Sequence, residues 1–313
     1  MSDVLTIVVP CYNEEEVLPE TIARLTDLTK AMIQERLISE QSTILLVDDG
    51  SKDKTWELIE QFSQTNPLIH GLKLSRNAGH QNALMAGLTV AVESADLLVS
   101  IDADLQDDCN CIRSFVEEYH KGFDIVYGVR SNRDSDTFFK RNTALAFYQL
   151  MKKLGVDMVY NHADFRLMSK RAVEALCQFD EVNLFLRGLV PLVGFSSTQV
   201  TYARAERFAG TSKYPFKKML KFALEGITSF SVKPLRLITS LGCTISFISI
   251  LAALYALISK LFGSTVQGWT SLILSIWFLG GLQLIGMGIL GEYIGKLYQE
   301  VKHRPKFIIE KKL

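Results

Sequence analysis

The sequence predicts an α/β fold: a doubly wound, mostly parallel sheet, followed by an interfacial amphipathic helix and a two-helix transmembrane hairpin. Three observations predict it. Short apolar runs rich in branched residues alternate with helical stretches from Val4 to Gly128. The first four of these runs give way abruptly to polar or acidic residues. Two uncharged runs lie near the end, the 23 residues Leu237 to Ser259 and the 30 residues Phe262 to Gly291, with only Lys260 and Leu261 between them. Either exceeds the roughly 20 apolar residues with which a helix crosses a hydrocarbon core of about 30 Å.

The elements follow in order. Val4 to Pro10 reads as a buried parallel strand, continuous rather than alternating in hydrophobicity, and leads through Tyr12-Asn13-Glu14-Glu15 into a helix over 15–36. Thr43 to Val47 is a second strand, ended by Asp48-Asp49-Gly50-Ser51, with a helix from about Asp53 to Gln64. Ile69 to Leu74 is a third, followed by Arg76-Asn77-Ala78-Gly79 and a helix near 80–93. Leu97 to Ile101 is a fourth, ended by Asp102-Ala103-Asp104, with a helix near 110–121, and Asp124 to Gly128 is a fifth. Strands alternating with helices imply an open doubly wound sheet, whose ligands bind at the carboxyl ends of the strands. Those ends hold Tyr12, Asn13, Asp48, Asp49, Arg76, Asp102 and Asp104, so the chemically interesting residues share one edge.

Residues 137–154 and 169–194 read as helical and flank His162-Ala163-Asp164-Phe165-Arg166. A strand near Thr198 to Tyr202 precedes a basic, glycine-containing loop with Arg204, Arg207 and Lys213. From Pro215 to Lys233, lysines alternate with apolar residues, the pattern of a helix lying on a membrane surface. The expected domains are a catalytic domain over 1–211, an amphipathic helix over 212–234, and a membrane segment over 235–295 with spans at about 236–259 and 268–291. A basic tail over 296–313 follows. Six basic residues from Lys213 to Arg236, and six more from Lys296 to Lys312, flank the spans, whereas the connection carries only Lys260. Positive charge stays inside, so both termini and the catalytic domain are expected in the cytoplasm, at a plasma membrane crossed more than once.

Composition excludes some classes. Lys and Arg number 34, as do Asp and Glu, so no net positive charge points to nucleic acid. Five scattered cysteines fit a reducing compartment, and Cys109-Asn110-Cys111 has no second pair to form a zinc ribbon. Met1 to Val4 enters directly into a strand, without the pattern of a signal peptide. Nucleophile-elbow, Walker A and dinucleotide-binding motifs are absent.

Asp102 and Asp104 at a strand end are hard oxygen ligands suited to Mg²⁺ or Mn²⁺, and Gln106 adds an amide oxygen or positions a metal-bound water. An ion held there neutralises a departing diphosphate. Asp48 and Asp49 suit a nucleobase or ribose, or alternatively cap the next helix. Arg204, Arg207 and Lys213 suit phosphate oxygens, or alternatively anionic lipid headgroups. Asp164, in an apolar context, is a candidate for catalysis or substrate positioning, with a helix cap or an ion pair to Arg166 as the structural alternative. His80, His162 and His303 have no metal-ligand spacing and read as structural.

These residues resemble family 2 glycosyltransferases that load a polyprenyl phosphate with one sugar: bactoprenol glucosyltransferases, aminoarabinose-transferring enzymes and dolichyl-phosphate mannosyltransferases. The resemblance spans essentially the whole chain. It rests on VVPCYNEEE (8–16), LVDDGSKDKT (46–55), LSRNAGHQNALMAGL (74–88), IDADLQD (101–107), ADFRLMSK (163–170), RAERFAGTSKY (204–214) and the terminal hairpin. It implies the A-type glycosyltransferase fold, a UDP- or GDP-sugar donor, a polyprenyl phosphate acceptor and a homo-oligomer, a tetramer in the family. Carried over position by position, it puts the metal on Asp102, Asp104 and Gln106, and nucleotide contacts on Pro10, Tyr12, Glu14, Asp49 and Arg76, with Asp102 shared. Catalysis falls on Asp164 with Asp104, and donor or acceptor phosphates on Arg204, Arg207 and Lys213. Two departures stand beside the nucleotide: the usual RNFGKE is Arg76-Asn77-Ala78-Gly79-His80-Gln81, and the usual DPPE is Asp107-Asp108-Cys109-Asn110. The Q-x-x-R-W signature of processive synthases is absent, which favours one sugar per acceptor.

The expected reaction is metal-dependent, inverting transfer from a nucleotide sugar, UDP-glucose or a related UDP-sugar, to undecaprenyl phosphate. A GDP-mannose-using dolichyl-type enzyme and an inactive membrane-anchored scaffold are the alternatives.

Overall fold

The structure, a computed structural model, describes residues 2–130, 162–181, 184–203, 233–261 and 268–313. It divides into two compact units, with Met1–Gln149, Asp157–Tyr214 and Arg304–Leu313 in the first and Leu150–Val156 and Pro215–His303 in the second. The first unit begins with β1 (Leu5–Cys11), α1 (Leu18–Gln34), β2 (Thr43–Asp48), α2 (Thr55–Thr65), β3 (Ile69–Leu74) and α3 (His80–Ala91). It continues with β4 (Leu97–Ser100), α4 (Cys111–His120), β5 (Ile125–Arg130), β6 (His162–Ser169), α5 (Lys170–Cys177), α6 (Leu186–Leu192) and β7 (Ser197–Tyr202). The second unit holds α7 (Lys233–Leu261) and α8 (Trp269–Val301), after which β8 (Ile309–Lys312) returns to the first.

One sheet carries the strands in the order β7-β5-β6-β4-β1-β2-β3-β8. β4-β1-β2-β3 are mutually parallel, as are β5 and β7. β6 runs antiparallel between β4 and β5, and β8 antiparallel to β3. The sheet is therefore mixed, with β6 and β8 reversed and the other strands pointing the same way. The chain winds from β1 out to β3 and then returns to the other side of β1 with β4, so the β1–β4 junction is the switch point at which open α/β sheets bind ligands.

β1 is buried on both faces, as its continuous hydrophobicity requires. Leu5, Ile7, Val9 and Cys11 pack with Leu18, Ile22 and Leu25 of α1 and Phe115 of α4. On the opposite face, a Cβ added to Gly87 of α3 would lie 2.4 Å from Val8 Cγ1 and 2.8 Å from Val47 Cγ2, so only glycine lets that helix sit so close.

The expected strands and helices up to Gly128 are present with ends shifted by a few residues, and the strand near Thr198 is β7. Three features differ from expectation. Within 169–194 the described residues form two helices, α5 and α6, rather than one helical stretch. Residues 162–169 form β6, a strand not expected from the sequence, on which Asp164 and Arg166 are buried and form the ion pair offered above as the structural alternative. The basic tail is helical as far as Val301, and its last residues form β8, whose exposed lysines suit an edge strand. The expected helices at 137–154 and in the juxtamembrane segment up to 232 lie outside the described residues.

In the second unit α7 and α8 are 29 and 33 residues long, roughly 44 and 50 Å at about 1.5 Å per residue. They touch where Gly286 approaches Ile238. Large apolar side chains lie exposed along both, Phe247, Ile250 and Tyr255 on α7 and Phe278, Leu284 and Met287 on α8, a pattern foreign to a water-facing surface. Among the described residues one segment, Phe278–Val301, is long and apolar enough to cross a membrane, with mean hydropathy 1.3. This segment overlaps the expected 268–291 span, and α8 continues through Gly291 without a break.

Candidate active site at the carboxyl edge of the sheet

The loops after β1, β2 and β3 are fastened to one another by backbone amides. Asn13, in a left-handed conformation (φ 54°) that asparagine tolerates, donates its N–H to Ser51 Oγ at 3.0 Å and accepts from the Lys52 N–H at 2.8 Å. The Glu14 N–H donates to Thr55 Oγ1 at 2.9 Å. The N–H groups of Ala78 and Gly79 donate to the two carboxylate oxygens of Asp49, at 2.6 and 3.0 Å. Gly50 sits under that loop at φ 66°; an added Cβ would lie 2.6 Å from the Asn77 nitrogen. Asp49 thus shapes the Arg76–Gly79 turn. Asp48 accepts from the Ser51 N–H at 3.2 Å, while its other oxygen is buried without a partner. Burial raises the pKa of both carboxyls, opposed by these hydrogen bonds. Neither caps α2: the Thr55 N–H at that helix start donates to Asp53. Tyr12, 41% exposed, stands at the end of β1, and Arg76 is exposed at the end of β3.

Because β6 is antiparallel, its first residues reach the edge where β4 ends. Ser100 pairs with Arg166 in the register, and its hydroxyl donates to the Asp164 carbonyl. The buried Asp164 carboxylate is gripped by two arginines. Arg166, 0% exposed, donates to Oδ1 at 2.6 Å, and Arg187 of α6 donates to both oxygens at 3.4 Å. Burial alone would raise the Asp164 pKa, but Arg187, His80 and Arg166 together hold it well below the usual carboxylate range. Asp164 therefore stays ionised and caps no helix; Ser169 caps α5.

His80, the first residue of α3, joins the two carboxylates. Its Nε2 lies 3.4 Å from Asp102 Oδ1 and 3.7 Å from Asp164 Oδ2. Burial opposes its charge, yet Asp164 and Asp102 raise its pKa to about 9. The Asp102 pKa is pushed up to about 6, first by burial and then by Asp164, Asp107 and Asp104, with His80 pulling the other way. Negative charge is thus crowded around Asp102. Asp104 accepts from the Gln106 N–H at 3.2 Å across Leu105, which is held at φ 55° against a cost of about 1–2 kcal/mol. Asp107 anchors that strained turn, accepting from the Tyr202 hydroxyl at 2.5 Å and from Arg130 at 3.1 Å. Burial and Asp107 push the phenol's pKa above its ordinary value, so it remains a donor.

Pro10, Tyr12, Glu14, Asp49, Arg76, Asp102, Asp104, Gln106 and Asp164 thus all lie at the carboxyl-edge strand ends and loops, around the switch point. Arg204, Arg207 and Lys213 lie outside the described residues. Among the described residues no three His, Cys, Asp or Glu side chains form a preformed metal cage. His80 and Arg187 escaped the sequence reading, although the departure from RNFGKE at His80-Gln81 was a signal. Gln81 accepts from the Leu186 N–H at 3.0 Å and so ties α3 to the helix that carries Arg187.

Residues 6–177 match the family Glycosyl transferase family 2. The chain belongs to that family. This glycosyltransferase is 60% identical over 307 residues to the glycosyltransferase YkoT of Bacillus subtilis (strain 168), covering 98% of this chain and 91% of that one. It is 43% identical over 312 residues to the SfII prophage-derived bactoprenol glucosyl transferase of Shigella flexneri, covering 98% and 97%. It is 40% identical over 309 residues to the prophage bactoprenol glucosyl transferase homolog of Escherichia coli (strain K12), covering 98% of both. The glycosyltransferase has the A-type α/β fold with a mixed sheet.

Proposed function

We propose that this glycosyltransferase moves one sugar from a UDP-sugar such as UDP-glucose to the phosphate of a membrane polyprenol such as undecaprenyl phosphate, inverting the anomeric carbon. The observation that carries the reading is the meeting of Asp102 and Asp164, bridged by His80, at the switch point of a family 2 chain that also bears an exposed apolar helix. Near-full-length relatives named bactoprenol glucosyl transferase supply the acceptor class.

In this reading Tyr12 offers an exposed ring to the nucleobase, and Pro10, Glu14 and the Asp49-held turn frame the nucleoside. Arg76 faces the phosphates. Asp102, Asp104 and Gln106 would hold Mg²⁺ or Mn²⁺, which would supply positive charge to neutralise the leaving diphosphate. The residues fit such an ion: magnesium is commonly held by one or two carboxylates plus substrate phosphates and waters, so no third acidic ligand is needed. Asp164, kept ionised by two arginines, orients the sugar or acceptor instead of taking a proton. A phosphate monoester has a second pKa near ~6 and is mostly dianionic at neutral pH, so the nucleophile needs little base assistance. Positioning and electrostatics then supply most of the rate. Arg204, Arg207 and Lys213 are assigned to donor or acceptor phosphates.

β8 supports two membrane crossings rather than one. It follows α8 yet pairs with β3, so residues on both sides of the helical segment belong to one sheet and lie on one side of a membrane. If α8 crosses, a second crossing must return the chain, and α7 contains the uncharged run Leu237–Ser259. With native cysteines replaced, a cysteine at Ser264 is expected to react with an impermeant maleimide added outside intact cells, and one at Ser212 only after lysis. The reverse pattern overturns the topology.

The reaction is tested by supplying the purified full-length protein with UDP-sugars and GDP-mannose against undecaprenyl phosphate. Release of UDP with formation of a lipid monophosphate sugar of inverted configuration is expected. Transfer from none of them removes the proposal, and exclusive use of GDP-mannose moves it to the dolichyl-type alternative.

A further inference from the structure

The ten residues after the second unit are unexpectedly well fastened. Leu72, Lys73 and Leu74 of β3 pair with Lys312, Lys311 and Ile309 of β8. The Leu313 N–H donates to the Gly71 carbonyl at 2.9 Å, and the Leu313 side chain packs against the core. Lys311 pairs with Glu60 at 2.6 Å and Lys73 with Glu310 at 3.0 Å.

This strand does more than lengthen the sheet. It enters at the carboxyl edge, where the Ser75 N–H donates to the Ile308 carbonyl at 2.9 Å, one residue before the Arg76–Gly79 turn. Two residues earlier, half-buried Lys306 donates through Nζ to the Phe179 carbonyl at 2.7 Å. Phe179 follows α5 on the stretch that leads to Arg187 and its contact with Asp164. One short segment therefore grips both chain stretches that deliver residues to the site: the turn held by Asp49, with His80 after it, and the approach to Arg187.

We infer that residues 304–313 are a strap that sets the spacing of these two stretches, and that Lys306 is a positioning residue for the donor site. The inference rests on the site proposed above for a nucleoside diphosphate, but its physical content is the order of two loops. A lysine suits the task because its long stem reaches across the gap and its ammonium makes a charge-assisted bond to the Phe179 carbonyl.

Hydrogen–deuterium exchange on the purified full-length protein tests the strap, with UDP titration as a second readout. Lys306→Met keeps the stem and removes the donor, and Lys306→Arg restores a donor. Exchange at Leu186, and at Ala78 and Gly79, is expected to rise about tenfold in Lys306→Met and to return toward wild type in Lys306→Arg. Amides of β1 should not change. The dissociation constant for UDP should rise in parallel and recover in the same variant. A chain ending at Ile308 should show the larger effect; if β1 amides are exposed there too, the Lys306 variants alone decide. Unchanged exchange at Leu186 and Ala78 in Lys306→Met overturns the strap. Loss of protection there, in a protein whose wild-type form does not bind UDP, leaves the strap standing and removes the donor assignment.

Discussion

Replacing Asp164 with alanine is expected to destabilise the protein by about 3–5 kcal/mol, the range for removing one partner of a buried ion pair. The reason is what remains: Arg166, entirely buried, with one guanidinium nitrogen already lacking a partner, and Arg187 facing the same void. The midpoint of thermal unfolding in detergent measures the loss. Adding Arg166→Met should recover part of it, because an apolar side chain of similar length needs no counter-charge. The pH dependence has a definite sign. The folded Asp164 pKa is depressed, so its contribution is fully present above the unfolded value of about 4 and lost as pH falls through the folded value. The gap between wild type and variant should therefore close as pH falls below about 4. Transfer should fall about a hundredfold or more, even in the better-folded double variant, since misplacement of a reacting group by ~1 Å has that effect. An unchanged unfolding midpoint in Asp164→Ala would show that the arginine clamp carries no stability.

Asp102→Asn and Asp104→Asn are expected to separate function from stability in opposite directions. Loss of a ligand to a divalent ion removes several kcal/mol of charge stabilisation, more than about a hundredfold in rate. Chelator should abolish transfer by wild type, and Mg²⁺ or Mn²⁺ should restore it; full turnover in excess chelator ends the metal assignment. In metal-free protein, however, Asp102→Asn should raise the unfolding midpoint. Its carboxylate is crowded by Asp164, Asp107 and Asp104, with His80 among the described residues pulling the other way. At a side chain 36% exposed, solvent screening leaves a gain of about 1 kcal/mol. Added metal should stabilise wild type and not the variant. A site whose emptiness is destabilising and whose filling is productive is the usual trade between stability and activity.

Much of this edge was legible without coordinates. Val4 to Pro10, Thr43 to Val47 and Leu97 to Ile101 announced buried strands by unbroken hydrophobicity, and the polar residues after each had to gather where parallel strands end. Asp102, Asp104 and Asp49 were therefore placed at one edge by topology alone. His80 was not: its distance from any acidic partner in sequence hides that the first turn of α3 points at the end of β4. Asp164 and Arg166 were visible as a motif, but their burial was not, because charges spaced two apart say nothing about whether the strand that carries them lies inside.

What the sequence by itself determined is the local grammar: the strands and helices of the first part, the acidic edge, the family, and the two apolar runs. Their causes act over a few residues, through side-chain burial, turn chemistry and the absence of charge. Only the tertiary structure decided the antiparallel insertion of β6, the double-arginine clamp on Asp164, the bridging position of His80 and the return of β8 to β3. Apart from the Asp164–Arg166 pair, these join segments distant in the chain, β8 and β3 by more than two hundred residues. Such pairing depends on which backbone edges and counter-charges remain unsatisfied once the rest has folded, and no local pattern records that.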